Sequence, residues 1–366
     1  MRGGSRMLFA ARKGQPMSRK IALDQVFLRP SPRFAHTDYS LGYHTEYIRK
    51  KTGLDPATAE AQQKFNDEVW AMDFNWGVDD GLHGDWGRRG RASDMGHAEY
   101  AAGGSDMRKP AACPFKTAAE VWGFDAIREY GLPDRKEQVD AYEKYARDTL
   151  SGCPGQLTTG GYYKTIVSGA IEAFGWEMFL LALSEPSKME PVLDGIYRFT
   201  RFHMDCWAAT SIEVIMQHDD FVWTEGAFMN PEIYRKAIIP RYAELWKPLR
   251  KAGKKIIFCS DGNFMEFAGD ILDAGADGLC FEPCNDFQFM AERYGDSAVL
   301  VGSCTDCRDM AFSTWDVVRS SIDRTLEIAR KRCRGLIYAV GNHIPVNVPD
   351  GMKDLYIGHL KANWKR

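Results

Sequence analysis

Hydrophobic positions in the second half of the chain form short apolar runs that alternate with helical patterns. The clearest run is residues 256–258, which lysines precede and the polar segment 259–263 follows. Apolar residues then recur at helical spacing from Phe264 to Leu272. A short run between polar boundaries is typical of a buried strand, and the spacing after it is typical of an amphipathic helix. The pattern therefore predicts a strand, a loop and a helix in succession.

The same order occurs at several other places in the chain. Apolar runs at 212–217, 278–281, 298–301 and 335–340 each end in polar residues. Strands that alternate with helices and carry polar residues at their carboxyl ends are typical of α/β folds. No glycine-rich dinucleotide-binding motif follows any of these strands, which disfavours a doubly wound sheet. We therefore predict a (β/α)8 TIM barrel with an N-terminal extension and a long insertion.

The first half of the chain has a weaker pattern. The aromatic run 68–76 is interpreted as the first strand, and a short strand is predicted at 156–158 with a loop over 158–163. Helical spacing predicts helices over 43–51, 166–183 and 185–204. Asn230, Pro231 and Glu232 supply a cap, a first-turn proline and a first-turn acid, so another helix is predicted from there to residue 249.

Chain length and composition fit a single catalytic domain. The chain has 366 residues, of which residues 17–366 accommodate one barrel domain. Residues 1–16 are predicted to be a disordered extension. Residues 77–113 are rich in Gly, Asp, Arg and His and show little periodicity. Such insertions are usually functional or mobile. This one is either a lid that brings His83, Trp86 or His97 to a ligand, or a solvated loop.

Charge and cysteine content exclude several classes of function. The chain has 47 Lys plus Arg against 50 Asp plus Glu and no basic run, so neither nucleic acid nor an anionic membrane is an expected partner. No segment approaches the roughly 20 apolar residues of a membrane span. Nine cysteines, odd in number and scattered, do not resemble a secreted disulfide framework. We therefore predict a cytoplasmic protein.

Chemically reactive side chains concentrate at the predicted carboxyl ends of strands. His218, Asp219 and Asp220 follow one strand, where barrel enzymes place catalytic groups. Adjacent carboxylates repel each other unless they share a cation or a proton, so this segment is predicted to bind substrate or to act in acid–base catalysis. The alternative is that one of the two carboxylates only caps the loop.

A second set of polar residues has the chemistry of zinc ligands. Thiolate, imidazole and carboxylate are the usual donors, and a catalytic zinc site uses three of them with one position open. Cys304 and Cys307 have CxxC spacing without a second such pair, and Cys280 is expected in the core. Trp76, Phe221 and Trp223 lie near strand ends and are predicted to line an aromatic substrate pocket. The strand-end candidates for the zinc site are Cys259, Asp261, Glu282, Cys304, Cys307 and His343.

The order of these motifs resembles the uroporphyrinogen decarboxylase superfamily. The similarity covers most of residues 40–360 and implies a (β/α)8 barrel. The matching motifs are Thr159-Gly160-Gly161, Phe174-Gly175-Trp176-Glu177, Asp219-Asp220, Asn230-Pro231-Glu232-Ile233-Tyr234, Ile239-Pro240, Cys259-Ser260-Asp261-Gly262-Asn263, Ala274-Gly275-Ala276-Asp277-Gly278, Val301-Gly302-Ser303, Gly341-Asn342-His343-Ile344-Pro345 and Val348-Pro349.

Within that superfamily, two activities compete. True decarboxylases hold a polycarboxylate tetrapyrrole with an N-terminal arginine motif, to which residues 29–34 bear only a faint similarity. Corrinoid-dependent methyltransferases move a methyl group between a small donor and a corrinoid protein. Their thiol-methylating members carry a His-x-Cys pair where this chain has Cys259 and Asp261. The sequence is more similar to relatives that demethylate ethers or amines and hold zinc with carboxylate and histidine ligands.

The methyltransferase resemblance implies a set of functional expectations. Zinc is held by some of Cys259, Asp261, Glu282 and His343, and His218, Asp219 or Asp220 orients the substrate or protonates the leaving group. The expected partners are a corrinoid protein and a small O-, N- or S-methyl donor, with an aromatic methyl ether as the first candidate, and a homo-oligomer is possible. The alternatives are a decarboxylase-like lyase acting on a carboxylated substrate and a non-catalytic binding relative.

Overall fold

The computed structural model describes residues 17–77 and 113–366. The predicted disordered extension 1–16 lies outside the described residues. So do His83, Trp86 and His97, which belong to the predicted insertion. No helix in the described part of the chain is both long and apolar enough to cross a membrane.

Short parallel strands form the wall of the barrel. Seven of them make one sheet in the order β1-β9-β8-β7-β6-β5-β4, and β2 pairs with β3. Thr159 alone separates β3 from β4, and the Asp73 N–H just before β2 donates to the His36 carbonyl of β1 at 2.9 Å. The strands are β1 (Ala35–His36), β2 (Phe74–Asn75), β3 (Leu157–Thr158), β4 (Gly160–Tyr162), β5 (Val214–His218), β6 (Lys255–Ser260), β7 (Gly278–Phe281), β8 (Val299–Val301) and β9 (Leu336–Tyr338).

Taking β3 and β4 as one strand, the described wall has eight strands, and every strand pair within the two sheets is parallel, which confirms the predicted barrel fold. Two π-helical turns (Phe65–Val69 and Tyr234–Ile238) and two 3-10 turns (Tyr39–Tyr43 and Met265–Phe267) interrupt the helical layer. The helices are α1 (Met17–Val26), α2 (Thr45–Thr52), α3 (Ala59–Lys64), α4 (Ala118–Trp122), α5 (Ala126–Tyr130), α6 (Arg135–Gly152), α7 (Val167–Phe174), α8 (Trp176–Leu183), α9 (Pro186–Ala208), α10 (Pro231–Ile233), α11 (Ile239–Lys251), α12 (Ala268–Ala274), α13 (Phe287–Tyr294), α14 (Cys307–Phe312), α15 (Trp315–Arg332) and α16 (Asp350–Asn363).

The barrel interior is a small apolar cluster, and α1 closes one end of it. Val214, Ile257 and Ile337 belong to this cluster together with Ile21 of α1. The Gln25 side chain accepts the N–H of the first residue of β9 at 3.0 Å, so α1 lies at the amino ends of the strands. The opposite end, where the strand carboxyl termini lie, therefore carries the polar groups that follow each strand.

The predicted first strand over 68–76 is wrong in its bounds and its order. β1 precedes it, only β2 within it is extended, and Phe65–Val69 is helical. Trp70 is fully buried and packs on Phe65, with ring centroids 6.0 Å apart. Trp70 thus serves helix packing, and a short apolar run does not by itself distinguish a strand from a helix.

Glycines account for two further corrections. The loop predicted over 158–163 contains β4, which pairs closely with β5. A Cβ atom at Gly161 would lie 1.9 Å from the Met216 carbonyl oxygen of β5. Strand pairing of β4 with β5 at this distance requires glycine. The helix predicted over 166–183 is two helices, because Gly175 has a left-handed φ of 76° and ends α7 before α8 begins.

Candidate active site

Three ligand-type side chains converge at the carboxyl ends of β5 and β6. His218 is the last residue of β5, Asp220 follows two residues later, and Asp261 comes directly after β6. One ligand atom of each lies within 4.8 Å of the other two. Within residues 17–77 and 113–366, no other group of three such side chains has its ligand atoms this close together. The parallel pairing of β5 with β6, with His218 opposite Cys259, produces the convergence.

Asp220 lies at the centre of this group. Its Oδ1 is 2.9 Å from Nε2 of His218 and accepts the Asp261 backbone N–H at 2.8 Å. Its Oδ2 accepts the Tyr163 hydroxyl at 2.9 Å. Burial raises the pKa of the Asp220 carboxyl, but the charge and hydrogen bond of His218, together with the hydrogen bonds from the Asp261 N–H and the Tyr163 hydroxyl, lower it by more, so the pKa is below its usual value. The carboxylate is therefore ionised.

The His218 imidazole stacks on the Tyr163 ring, with centroids 4.0 Å apart and planes 16° from parallel. Burial lowers the pKa of His218, whereas Asp220 and Cys259 raise it by more, so the pKa is well above its ordinary value. A proton on the imidazole is thus stabilised by the neighbouring carboxylate. A cation shared by His218, Asp220 and Asp261 would satisfy the same negative charge.

Asn342 links two carboxylates at the barrel mouth. Its Nδ2 donates to Asp261 Oδ2 and to Glu282 Oε1, both at 3.1 Å, and its Oδ1 lies 2.8 Å from Nδ1 of His343. Glu282 Oε2 accepts the Gly262 N–H at 3.0 Å. Burial is the largest influence on Glu282 and raises the pKa of its carboxyl. Glu282 and His343 therefore lie beside the group of three without joining it.

Cys259 lies deeper in the barrel than the sequence suggests. It belongs to the interior cluster, opposite Cys280 of β7 in the parallel register. A hydrogen bond with Cys280 and then burial raise the pKa of the Cys259 thiol well above its usual value, so the thiol stays protonated. Cys280 is buried, as expected. The Cys304 and Cys307 thiols also have raised pKa values because of burial, and neither belongs to the group of three.

Asp219 has a structural environment that differs from that of Asp220. Its carboxylate is fully buried and accepts the backbone N–H groups of Ile166, Val167 and Ser168 at the start of α7. The Ser168 and Tyr242 hydroxyls also donate to it, each at 2.6 Å. Asp219 thus caps α7 from another element, which is the role that the sequence left open for one of the two carboxylates.

The three predicted pocket aromatics lie in different environments. Phe221 is fully buried and packs edge-on against Phe258 and Tyr234, so its contacts are those of a core residue. Trp223 is 48% exposed and lies 5.7 Å from the ring of Trp176. Trp76 Nε1 donates to the Thr37 hydroxyl at 2.8 Å beside the end of β2. Trp223 and Trp76 are therefore at the rim, while Phe221 lies behind it.

Two residues that contact the group of three received no role from the sequence. Tyr163 follows β4 directly, and Asn342 follows β9 within a few residues. Their position after strand ends is the signal that could have identified them. Tyr163 received no role because it lies in a glycine-rich segment that was predicted to be a loop. Asn342 received none because the histidine that follows it is a stronger candidate ligand.

Nine cysteines, all within the described residues, are free thiols. This state agrees with the scattered pattern from which a cytoplasmic location is predicted. The location itself stays a prediction.

Comparisons with known proteins give one family match and several structural similarities. The model of the family described as uroporphyrinogen decarboxylase (URO-D) matches residues 171–353, half of the chain. No curated protein sequence matches the chain. A methyltransferase from Methanosarcina mazei is similar in structure with a TM-score of 0.62 and 15% identity, covering 95% of this chain and 99% of that one. This similarity shows a shared fold.

A sugar phosphate isomerase/epimerase from Parabacteroides distasonis is similar with a TM-score of 0.43 and 10% identity, covering 92% of this chain and 99% of that one. A similarity at this level carries no argument about function. The fold, the matched family and the residue cluster at the barrel mouth are the observations on which a functional assignment must rest.

Proposed function

The chain belongs to the uroporphyrinogen decarboxylase family, and from that premise we propose that it is a zinc-dependent methyltransferase. The proposed reaction moves a methyl group from a small O-, N- or S-methyl donor, first among them an aromatic methyl ether, to a corrinoid protein. The observation that carries the proposal is the convergence of His218, Asp220 and Asp261 at the carboxyl ends of β5 and β6. The fold shared with a methyltransferase supports the class of reaction.

The donor set fits zinc. One imidazole nitrogen and two carboxylate oxygens are borderline and hard donors that zinc accepts, and a catalytic site with three protein ligands leaves one position open. Zinc bonds of about 2.0–2.2 Å place donor atoms roughly 3–4 Å apart, so small rotations bring atoms now within 4.8 Å to that spacing. The proposed ligands are therefore His218, Asp220 and Asp261, in place of the sequence-based set that included Cys259, Glu282 and His343.

The mechanism divides the remaining tasks among neighbouring residues. Zinc, when bound, polarises the heteroatom that carries the methyl group and makes it a better leaving group. Burial raises the pKa of Glu282, and Asn342 links this carboxyl to Asp261, so Glu282 is the proposed donor of a proton to the departing heteroatom. Trp223 and Trp176 offer aromatic faces at the rim to a ring-bearing methyl donor. Asp219 positions the β5 loop through its cap on α7.

The charge of the site separates this proposal from the decarboxylase alternative. Asp220, Asp261 and Glu282 all lie at the barrel mouth, and each carries a carboxyl group. Bound zinc would neutralise Asp220 and Asp261, and Glu282 would hold a proton, so the site presents no excess of positive charge to a substrate with several carboxylates, whereas a neutral methyl donor needs none. The geometry therefore favours methyl transfer over decarboxylation of a polycarboxylate.

Metal removal tests the proposal. We expect purified protein to contain close to one zinc per chain by inductively coupled plasma mass spectrometry, since three ligands and an open position are present. Dialysis against a chelator should abolish methyl transfer to a reduced corrinoid protein, followed by its visible absorbance across a panel of methyl donors. Added zinc should restore transfer, and mock-dialysed protein is the control. Full transfer by a verified metal-free protein contradicts the zinc mechanism.

A further inference from the structure

Tyr163 contacts two of the three proposed ligands through different parts of its side chain. The ring lies against the His218 imidazole at 4.0 Å between centroids, and the hydroxyl donates to Asp220 Oδ2 at 2.9 Å. The other oxygen of Asp220, Oδ1, faces His218 Nε2 at 2.9 Å. The tyrosine thus fixes which oxygen of Asp220 points to the group of three and which points away from it.

The backbone after Tyr163 is held in an unfavourable conformation. Lys164 has a left-handed φ of 58°, which non-glycine residues seldom adopt. Its ammonium is buried, forms an ion pair with Glu172 Oε2 at 2.9 Å and lies 4.9 Å from the centroid of the Tyr163 ring. A buried ion pair and a strained residue beside one tyrosine indicate that the position of this tyrosine is fixed by its surroundings.

Asn342 donates a hydrogen bond to one oxygen of the second acidic ligand. It also has a left-handed φ, 61°, and its Nδ2 donates to Asp261 Oδ2 at 3.1 Å. Of the four non-glycine residues with left-handed φ in the described chain, one directly follows the donor Tyr163 and another is the donor Asn342 itself. The Oδ2 atoms of Asp220 and Asp261 thus each accept a hydrogen bond from an uncharged side chain that is not itself a proposed zinc ligand.

We propose that Tyr163, with Asn342 in a parallel role, makes the site selective for zinc by restricting the acidic ligands to one coordinating oxygen each. This inference rests on the proposed zinc function. An Asp220 held through Oδ2 offers only Oδ1, and with His218 and Asp261 the site then provides three donor atoms, the number typical of catalytic zinc. Bidentate carboxylates instead raise the coordination number, which favours cations such as manganese and magnesium that take more oxygen ligands.

The test is the metal preference of Tyr163→Phe, which removes the hydroxyl and keeps the ring. We expect the Kd for zinc, measured by competition with a chromophoric chelator, to rise about tenfold or more, as is common when a second-layer donor to a metal ligand is lost. The Kd for manganese should not rise, so the zinc-to-manganese preference falls by the same factor. Cobalt-substituted protein should lose visible absorbance intensity, because a higher coordination number weakens the ligand-field bands.

The matched control is Tyr162→Phe. This residue undergoes the same chemical change one position earlier, but its ring stacks on His203 instead, at 4.7 Å. Both metal affinities and the cobalt spectrum should stay as in the wild type. Asn342→Gly is a second test, since glycine accepts the left-handed φ and removes only the side-chain amide. It should shift the metal preference in the same direction as Tyr163→Phe.

The outcomes separate the two levels of the argument. If Tyr163→Phe and Asn342→Gly both keep the wild-type preference and cobalt spectrum while the wild type binds zinc, the assignment of these residues is wrong and the zinc proposal stands. If the wild type binds neither zinc nor cobalt, the zinc proposal fails and this inference fails with it. A lowered preference in the tyrosine variant with an unchanged Tyr162→Phe control supports the assignment.

Discussion

Replacing Asp261 with alanine is expected to remove zinc from the protein and to reduce methyl transfer by about 10³-fold or more. Asp261 is one of only three proposed ligands, and a two-ligand site does not hold a catalytic zinc ion. Lewis-acid assistance contributes several kcal/mol to such reactions, and roughly 4 kcal/mol corresponds to three orders of magnitude in rate. His343→Ala should keep its zinc, because His343 contacts Asn342 and lies outside the group of three.

Zinc content by mass spectrometry and transfer to the corrinoid protein are measured together on both variants. Asp273→Ala is the matched control, since it makes the same substitution at an exposed position of α12. Its zinc content and transfer should equal those of the wild type. Loss of zinc from His343→Ala with retention in Asp261→Ala would reverse the assignment in favour of the sequence-based set with Cys259 and Glu282.

The strands that the sequence predicts well are those that contain a continuous apolar run. Residues 256–258 and 278–281 lie in β6 and β7, which are buried between the interior cluster and the helical layer. A strand buried on both faces is a continuous apolar run, so its position is visible without any periodicity. β1 and β2 have two residues each, and no pattern of hydrophobic residues is detectable over that length.

The residues of the site were easier to predict than their grouping. Strand ends of a parallel barrel meet at one mouth, so His218, Asp220 and Asp261 were all assigned to it from the sequence. Alternation along a continued strand would place Cys259 and Asp261 on the same side. Asp261, however, follows the last residue of β6, where alternation ends, and Cys259 stays in the barrel interior. Which donors approach within ligand distance is decided by these local turns.

Neighbouring carboxylates illustrate the same limit. Asp219 and Asp220 are indistinguishable in the sequence, yet consecutive residues at a strand end point in different directions. One carboxylate reaches α7 and the other reaches His218. Tyr163 and Asn342 were missed because their importance depends on the carboxylate oxygen that each one engages, and that information is absent from residue spacing.

Replacing Asp219 with alanine is expected to lower the free energy of unfolding by about 3–5 kcal/mol, among the largest effects of a point substitution. The carboxylate accepts three backbone N–H groups of residues 166–168 and the hydroxyls of Ser168 and Tyr242. Alanine leaves these donors buried without an acceptor, at about 1–3 kcal/mol for each one that water cannot reach. Denaturation by urea, followed by circular dichroism, measures the loss.

Asp219→Asn distinguishes the cap from a catalytic role, because the amide keeps one accepting oxygen and the shape of the side chain. Its stability should lie between those of the wild type and Asp219→Ala, and the zinc content of the folded protein should stay near that of the wild type, since Asp219 lies outside the group of three. A cap acts through folding, so transfer per folded molecule should fall far less than in Asp261→Ala. Wild-type stability of Asp219→Ala combined with a collapse of transfer would instead place Asp219 in the chemistry, as one interpretation of the sequence predicted.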